Sequence, residues 1–204
     1  MKILPEASVV PLAINLRTNA ALDLLKKCSV VFGCVDHDGP RLVLTELSAA
    51  YRIPLIDVAS EIFPEKPDRP FDFGGRVVIA MPGEYCLFCA NQIDREQAKA
   101  DLESPEIRQL RRKHGYGLGG DTPAPSVCAL NGIVANLAVM EFLAMVTKIR
   151  PLARCLTYRG MRSIVTTSTD LGAADCYTCK CLCGQGDKVN LSQYLLSNVA
   201  KNEE

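Results

Sequence analysis

The sequence predicts an α/β fold: a mainly parallel sheet with helices on both faces, continued by an antiparallel C-terminal part that a four-cysteine metal site pins to the body. Three observations predict it. The first third alternates short apolar runs with helical segments, the strand–helix–strand–helix–strand order of a doubly wound sheet. Two C-x-x-C knuckles, Cys86-Leu-Phe-Cys89 and Cys176-Tyr-Thr-Cys179, stand far apart in the chain. Two apolar segments, Leu152–Tyr158 and Arg162–Thr167, flank Arg159-Gly160 as the arms of a hairpin would.

In chain order, Ser8–Asn15 is apolar between Pro5 and Arg17 and reads as a strand. Asn19 caps a short helix over Ala20–Lys27, with Leu22, Leu24 and Leu25 facing inward. Ser29–Val35 is a continuous apolar run, the pattern of a strand buried on both faces. Asp38, with Pro40 in the first turn, opens a helix that runs through Tyr51. Ile53–Ala59 is a further strand, Pro64–Pro70 a proline- and charge-rich loop, and Gly74–Met81 the strand that delivers the first knuckle. Gln92–His114 is polar, and Ser104-Pro105-Glu106 starts a basic helix within it. That helix carries Arg108, Arg111, Arg112 and Lys113, which read as a solvated face.

Gly115–Pro125 reads as a flexible loop. Gly115-Tyr-Gly-Leu-Gly-Gly120 spells G-x-G-x-x-G, but it lacks a strand before it and a helix after it, so it is not a dinucleotide loop. Ser126–Thr147 is a long helical run, apolar nearly all round, which marks a helix buried in a core or an interface. Its length matches a membrane span, but Asn131, Asn136 and Glu141 argue against one. Ala129, Gly132 and Ala135 allow close approach of a partner subunit, so a homo- or hetero-dimer through Ser126–Thr147 is expected. Leu191–Ala200 reads as a terminal helix.

The chain has 204 residues, a length that suits one unit. Within it, 1–60 form the parallel half and 74–200 the antiparallel, metal-pinned part. Lysine plus arginine equals aspartate plus glutamate at 23 each, which argues against a nucleic-acid or membrane-surface partner. Ten cysteines without a signal-peptide pattern at the N-terminus suit a reducing cytoplasm in which thiols serve a metal.

Two complete knuckles supply the four thiolates of a tetrahedral zinc site. Cys86, Cys89, Cys176 and Cys179 are the expected ligands, with Cys181 or Cys183 as alternatives to Cys179. A closed shell of four thiolates leaves no position for water, so such a zinc is structural. Asp36 stands at the end of a strand, where ligands of open α/β sheets sit, and a carboxylate there suits a hard cation. Arg41 is placed either to neutralise phosphate or to pair with Asp38 or Glu46. His37 reads as a solvated loop residue and Cys128 as a core thiol.

Four segments occur in a telling order: Ser29–Arg41 (SVVFGCVDHDGPR), Pro54–Asp57, Gly74–Cys89 (GGRVVIAMPGEYCLFC) and Pro125–Leu143 (PSVCALNGIVANLAVMEFL). Together they resemble the ThiF/MoeB/HesA family, the ubiquitin-activating type of adenylyltransferase with a Rossmann-like sheet. The resemblance runs from Ser29 to Gly184. It implies ATP-dependent adenylation of the C-terminal glycine carboxylate of a ubiquitin-like or sulfur-carrier protein. It implies that Asp36 holds Mg²⁺ and the phosphates of ATP, that Arg41 matches the family's arginine, and that Cys86, Cys89, Cys176 and Cys179 hold zinc.

The sequence also departs from that pattern. The family's glycine-rich turn and the basic residues that grip phosphate have no counterpart, so the chain reads as the rear two-thirds of the family unit. His37 replaces the usual Asn. The loop 90–126 holds no thioester cysteine, and Cys128 sits just past it. The alternative expectation is a non-catalytic partner subunit of such an activating enzyme.

Overall fold

The computed structural model describes residues 7–67, 71–113 and 127–196. The elements are helix α1 (Asn19–Leu25), strand β1 (Val31–Gly33), helix α2 (Asp38–Tyr51), strands β2 (Leu55–Phe63) and β3 (Asp72–Ala80), helices α3 (Arg95–Leu102), α4 (Pro105–Lys113) and α5 (Cys128–Thr147), and strands β4 (Cys155–Arg159) and β5 (Ile164–Thr167). The strands form one five-stranded sheet in the order β1-β2-β3-β4-β5. The fold is α/β with helices on both faces and an antiparallel extension.

The sheet is mixed rather than mainly parallel. β1 and β2 pair in parallel over Val31↔Leu55 to Gly33↔Asp57, and the remaining three pairings are antiparallel. The reason is chain length. Only residues 64–71 join β2 to β3, and a parallel crossover needs a dozen or more residues. The two strands therefore fold back on each other from Leu55↔Ala80 to Phe63↔Asp72.

Alternation along β3 builds two cores, because successive side chains leave a strand on opposite faces. Val78 and Ala80 join Val31 and Leu55 under Val43, Leu44 and Leu47 of α2. Val77 and Ile79 join Ile56 and Leu156 under Leu130, Val134 and Ala138 of α5. Each fully buried aliphatic side chain contributes about 1.5–3 kcal/mol.

Gly75 is what lets α5 lie so close. A β-carbon there would sit 2.5 Å from Val134 Cγ2 and 2.6 Å from the Ala59 carbonyl oxygen. Gly75→Ala is expected to destabilise the chain by about 1–3 kcal/mol, read as a lowered denaturation midpoint, because the backbone oxygen cannot step aside.

α5 is 20 residues long. It is the one helix among the described residues with the length and composition to cross a membrane. Its stripe Leu130, Val134, Ala138, Glu141 and Ala144 is buried, while Ile133, Val139, Met140, Leu143 and Val146 are exposed. The expectation of apolar character all round holds in sequence, but only one face is covered. Glu141 is buried because Arg150 donates to both its oxygens, at 3.0 and 2.6 Å, and the Ala153 amide donates at 3.1 Å.

Several local expectations need correction. Ser8–Asn15 forms no strand: residues 7–15 are exposed and have no ladder partner among the described residues. α1 takes its cap from Thr18, whose side chain accepts from the Ala21 amide, and not from Asn19. His37, not Asp38, holds the N-cap position of α2 and makes no side-chain cap bond. α3 lies within the segment read simply as polar. Leu191–Ala200 shows a single 3-10 turn over Leu191–Tyr194, and 197–204 lie outside the described residues. The loop 114–126, with the G-x-G-x-x-G string, also lies outside them, as do residues 68–70 of the proline-rich loop.

Arg17 ties three distant parts together. Its guanidinium donates to the carbonyls of Tyr194 and Leu102, each at 2.7 Å, and its own carbonyl accepts from the Leu196 amide.

Candidate functional site

The first knuckle hangs directly from β3. After Ala80 the chain turns at Gly83, whose φ of +86° favours glycine, and Met81 and Tyr85 form an isolated antiparallel bridge. Tyr85, Cys86 and Leu87 are buried. The knuckle closes with the Ala90 amide donating to the Cys86 carbonyl. The second knuckle sits on a π-helical turn, Thr178–Leu182, which buries Cys179 and Leu182 while Cys181 faces solvent. Gly184, at φ +73°, carries the chain back to α2 by donating its amide to the Ala49 carbonyl at 3.0 Å.

These turns bring four sulfurs together. Cys86 Sγ lies 3.8 Å from Cys89 Sγ and 3.6 Å from Cys176 Sγ, and Cys89 Sγ lies 3.8 Å from Cys179 Sγ. All four are within 4.8 Å of one another. Tetrahedral metal–sulfur bonds of about 2.3 Å place sulfurs about 3.8 Å apart, so the donor set fits a metal. A disulfide would need about 2.05 Å, and all ten cysteines are free. Cys179, rather than Cys181 or Cys183, is the member of the group.

Without a metal, Cys86 and Cys179 favour their protonated forms. Burial, reinforced by the neighbouring sulfurs, pushes the Cys86 thiol up to about 12. It pushes the Cys179 thiol up as well, with Cys86 as the next cause. Burial also acts to raise Cys89, but hydrogen bonds from the Cys86 and Ala173 backbones and from Cys176 and Cys179 together hold it below its usual range. Four thiols cannot ionise side by side unless a cation compensates them, and metal binding must therefore release protons.

The second cluster lies past the carboxyl end of β1. Asp36 occupies the loop between β1 and α2, with its side chain 90 % exposed and 3.8 Å from His37 Nε2. Arg41, on the first turns of α2, is buried. It donates through Nη2 to the Val35 carbonyl at 2.8 Å and through Nη1 to Asp38 Oδ1 at 3.0 Å. Of the pairings expected for Arg41, the structure shows the one with Asp38. Glu46 instead accepts from the Tyr194 hydroxyl at 2.9 Å. Asp38 also accepts from the Asp94 amide at 3.0 Å, which fastens α3 to α2.

Two charged residues at this cluster went unnoticed in the sequence. Asp57 on β2 is fully buried, with Arg41 Nε at 3.6 Å and Arg76 Nη2 at 3.7 Å from Oδ2. At these separations the contacts are ion pairs and not hydrogen bonds. Both Asp57 oxygens and the Nε atoms of both arginines lack hydrogen-bond partners. Burial pushes the Asp57 carboxyl above its usual range, and the two guanidinium groups oppose that shift. The signal was an aspartate inside the apolar run Leu55–Val58 and an arginine inside Gly74–Ala80. Buried strand charges of opposite sign require each other.

The model of the ThiF family matches residues 1–181. The chain belongs to the ThiF family. Among curated proteins, none matches it. Among solved structures, this ThiF-family chain is similar to E. coli MccB, crystallised with MccA-N7isoASN, with a TM-score of 0.54 at 14 % sequence identity. The similarity covers 82 % of this chain and 45 % of MccB, so the chain spans less than half the length of that neighbour. It reports a shared fold, consistent with the Rossmann-like sheet around β1, α2 and β2.

Proposed function

We propose that this chain takes part in ATP-dependent adenylation of the C-terminal carboxylate of a ubiquitin-like or sulfur-carrier protein. The observation that carries the reading is Asp36. In a chain of the ThiF family, it stands accessible just past the carboxyl end of β1, where the parallel pair β1–β2 closes and where ligands of such sheets bind.

In the reaction, a carboxylate oxygen of the carrier attacks the α-phosphorus of ATP. The bond from that phosphorus to the oxygen bridging to the β-phosphate breaks, leaving an acyl-adenylate and pyrophosphate. Asp36 offers an exposed oxygen donor, which fits a hard cation such as Mg²⁺. Bound Mg²⁺ supplies neutralisation of phosphate charge. Arg41 is buried against Val35 and Asp38, so it acts on the shape of the Asp36 loop. The four knuckle cysteines hold zinc as a structural ion in this reading.

A second reading is a partner subunit without catalysis of its own. The observation favouring it is the uncovered apolar face of α5, with Val139, Met140, Leu143 and Val146 exposed. An interface there would make a homo- or hetero-dimer.

The test is exchange of labelled pyrophosphate into ATP, measured with candidate carriers and candidate partner chains. The adenylation reading expects exchange that needs Mg²⁺ and a carrier, and expects Asp36→Asn to lower it about 100-fold, roughly 2.7 kcal/mol of barrier. Exchange unchanged by Asp36→Asn removes Asp36 from the site. A stable complex with no exchange supports the partner-subunit reading.

A further inference from the structure

Asp36 is placed by its backbone alone. Its side chain meets only the exposed His37 at 3.8 Å among the described residues. What holds the adjacent backbone is Arg41, whose Nη2 grips the Val35 carbonyl at 2.8 Å. The same guanidinium reaches Asp38 through Nη1 and faces Asp57 through Nε. One planar group therefore spans the loop, the first turn of α2 and the first part of β2, a fork that a lysine point charge could not reproduce.

Arg41 is itself held by charge. Asp57 is 0 % exposed, has both oxygens free of hydrogen bonds, and stands between Arg41 and Arg76. Replacing a whole buried ion set by apolar residues of similar volume is often neutral or stabilising, whereas removing one member alone is costly. A buried carboxylate with no hydrogen bond is thus a poor device for stability alone. Without it, two guanidinium groups would face each other in a dry place, and the partly exposed side of the cluster, the loop carrying Asp36, is where the strain would be relieved. The α2 and β3 sides are fixed by the core beneath them.

We infer that Asp57 is a positioning residue: through Arg41 and the Val35 carbonyl it sets the loop that presents Asp36. As a statement about Asp36's role in adenylation it rests on the reading above, but its structural part stands without it.

The experiment compares amide hydrogen exchange of the full chain with that of Asp57→Asn. The expected result is exchange at residues 34–38 accelerated about tenfold or more beyond the common acceleration that β3 and α5 share from lost global stability, the sign of local release. Faster exchange spread evenly over the chain, or no change at 34–38, overturns the inference. If Asp57→Asn does not fold, Arg41→Lys keeps a charge for Asp57 but cannot bridge Val35 and Asp38. The same confined release is then expected, and its absence overturns the inference. Where pyrophosphate exchange is measurable, Asp57→Asn should raise the half-saturating Mg²⁺ concentration several-fold and leave the saturated rate nearly unchanged. A fall in the saturated rate alone counts against positioning. Confined release in a chain that shows no pyrophosphate exchange with any carrier sinks the adenylation reading and leaves the positioning intact.

Discussion

Cys179→Ser is expected to detach the segment 172–183 from the body and to cost the chain several kcal/mol of stability, while Tyr194 and Leu196 stay tied to Arg17. The second knuckle is held to the sheet by three kinds of contact. Leu182 and Thr178 are buried beside Cys179, the Gly184 amide bonds to Ala49, and the four sulfurs converge. The first two are small: a backbone hydrogen bond contributes about 0.5–1.5 kcal/mol. A structural zinc contributes roughly 10–16 kcal/mol of apparent binding energy at neutral pH. Zinc bound at the four cysteines would therefore dominate, and losing one thiolate should open the site.

Chelation of the wild-type chain should have the same effect, because burial pushes the Cys86 thiol up to about 12 without a cation. Metal affinity should likewise fall as pH falls, since protons compete for all four sulfurs. Limited proteolysis checks both: cleavage is expected within 172–183 after chelation or in Cys179→Ser, and nowhere new in β2 or β3. Unchanged protection of that segment would mean that packing alone holds it.

The second large effect concerns the buried charges. Asp57→Ala is expected to destabilise the chain by about 3–5 kcal/mol, because it leaves Arg41 and Arg76 buried without a counter-charge. Burial opposes ionisation of Asp57 while the two arginines favour it. The energy of the intact set is therefore a small difference of large terms, whereas removing one member exposes the full desolvation cost. The combined Asp57→Leu, Arg76→Met change should recover much of the loss, as apolar replacements of a buried ion pair often do. Urea denaturation of these two variants and the wild-type chain measures this. A double change as unstable as Asp57→Ala would show that the charges contribute more than mutual compensation.

Much of this was legible from residues. The knuckle spacing located the sulfur cluster, and the structure chose Cys179 over Cys181 and Cys183 because only the buried side of the π-helical turn faces Cys89. The helix to Tyr51 and the hairpin around Arg159-Gly160 were readable because periodicity and turn residues agreed there. α3 was missed, although Asp94 and Gln97 form the D-x-x-Q pattern of a helix start, and Asp94 indeed accepts from the Glu96 and Gln97 amides. The extent of β2 was missed because Ser60 and Glu61 break its apolar run, and pairing with β3 carries the strand past them. Ser8–Asn15 has strand-like residues, but a strand is a property of two segments, and no ladder partner lies beside this one among the described residues. Asp57 and Arg76 were visible as misfits in apolar runs, but their pairing needed the β2–β3 register, in which Asp57 is opposite Val78, two residues from Arg76.

The most direct measurement is metal content with X-ray absorption at the zinc edge on the purified full chain. One zinc per chain with four sulfurs at about 2.3 Å is the predicted result, lost in Cys86→Ser as well as in Cys179→Ser. A folded chain with no bound metal, or a metal kept by both variants, would contradict the account.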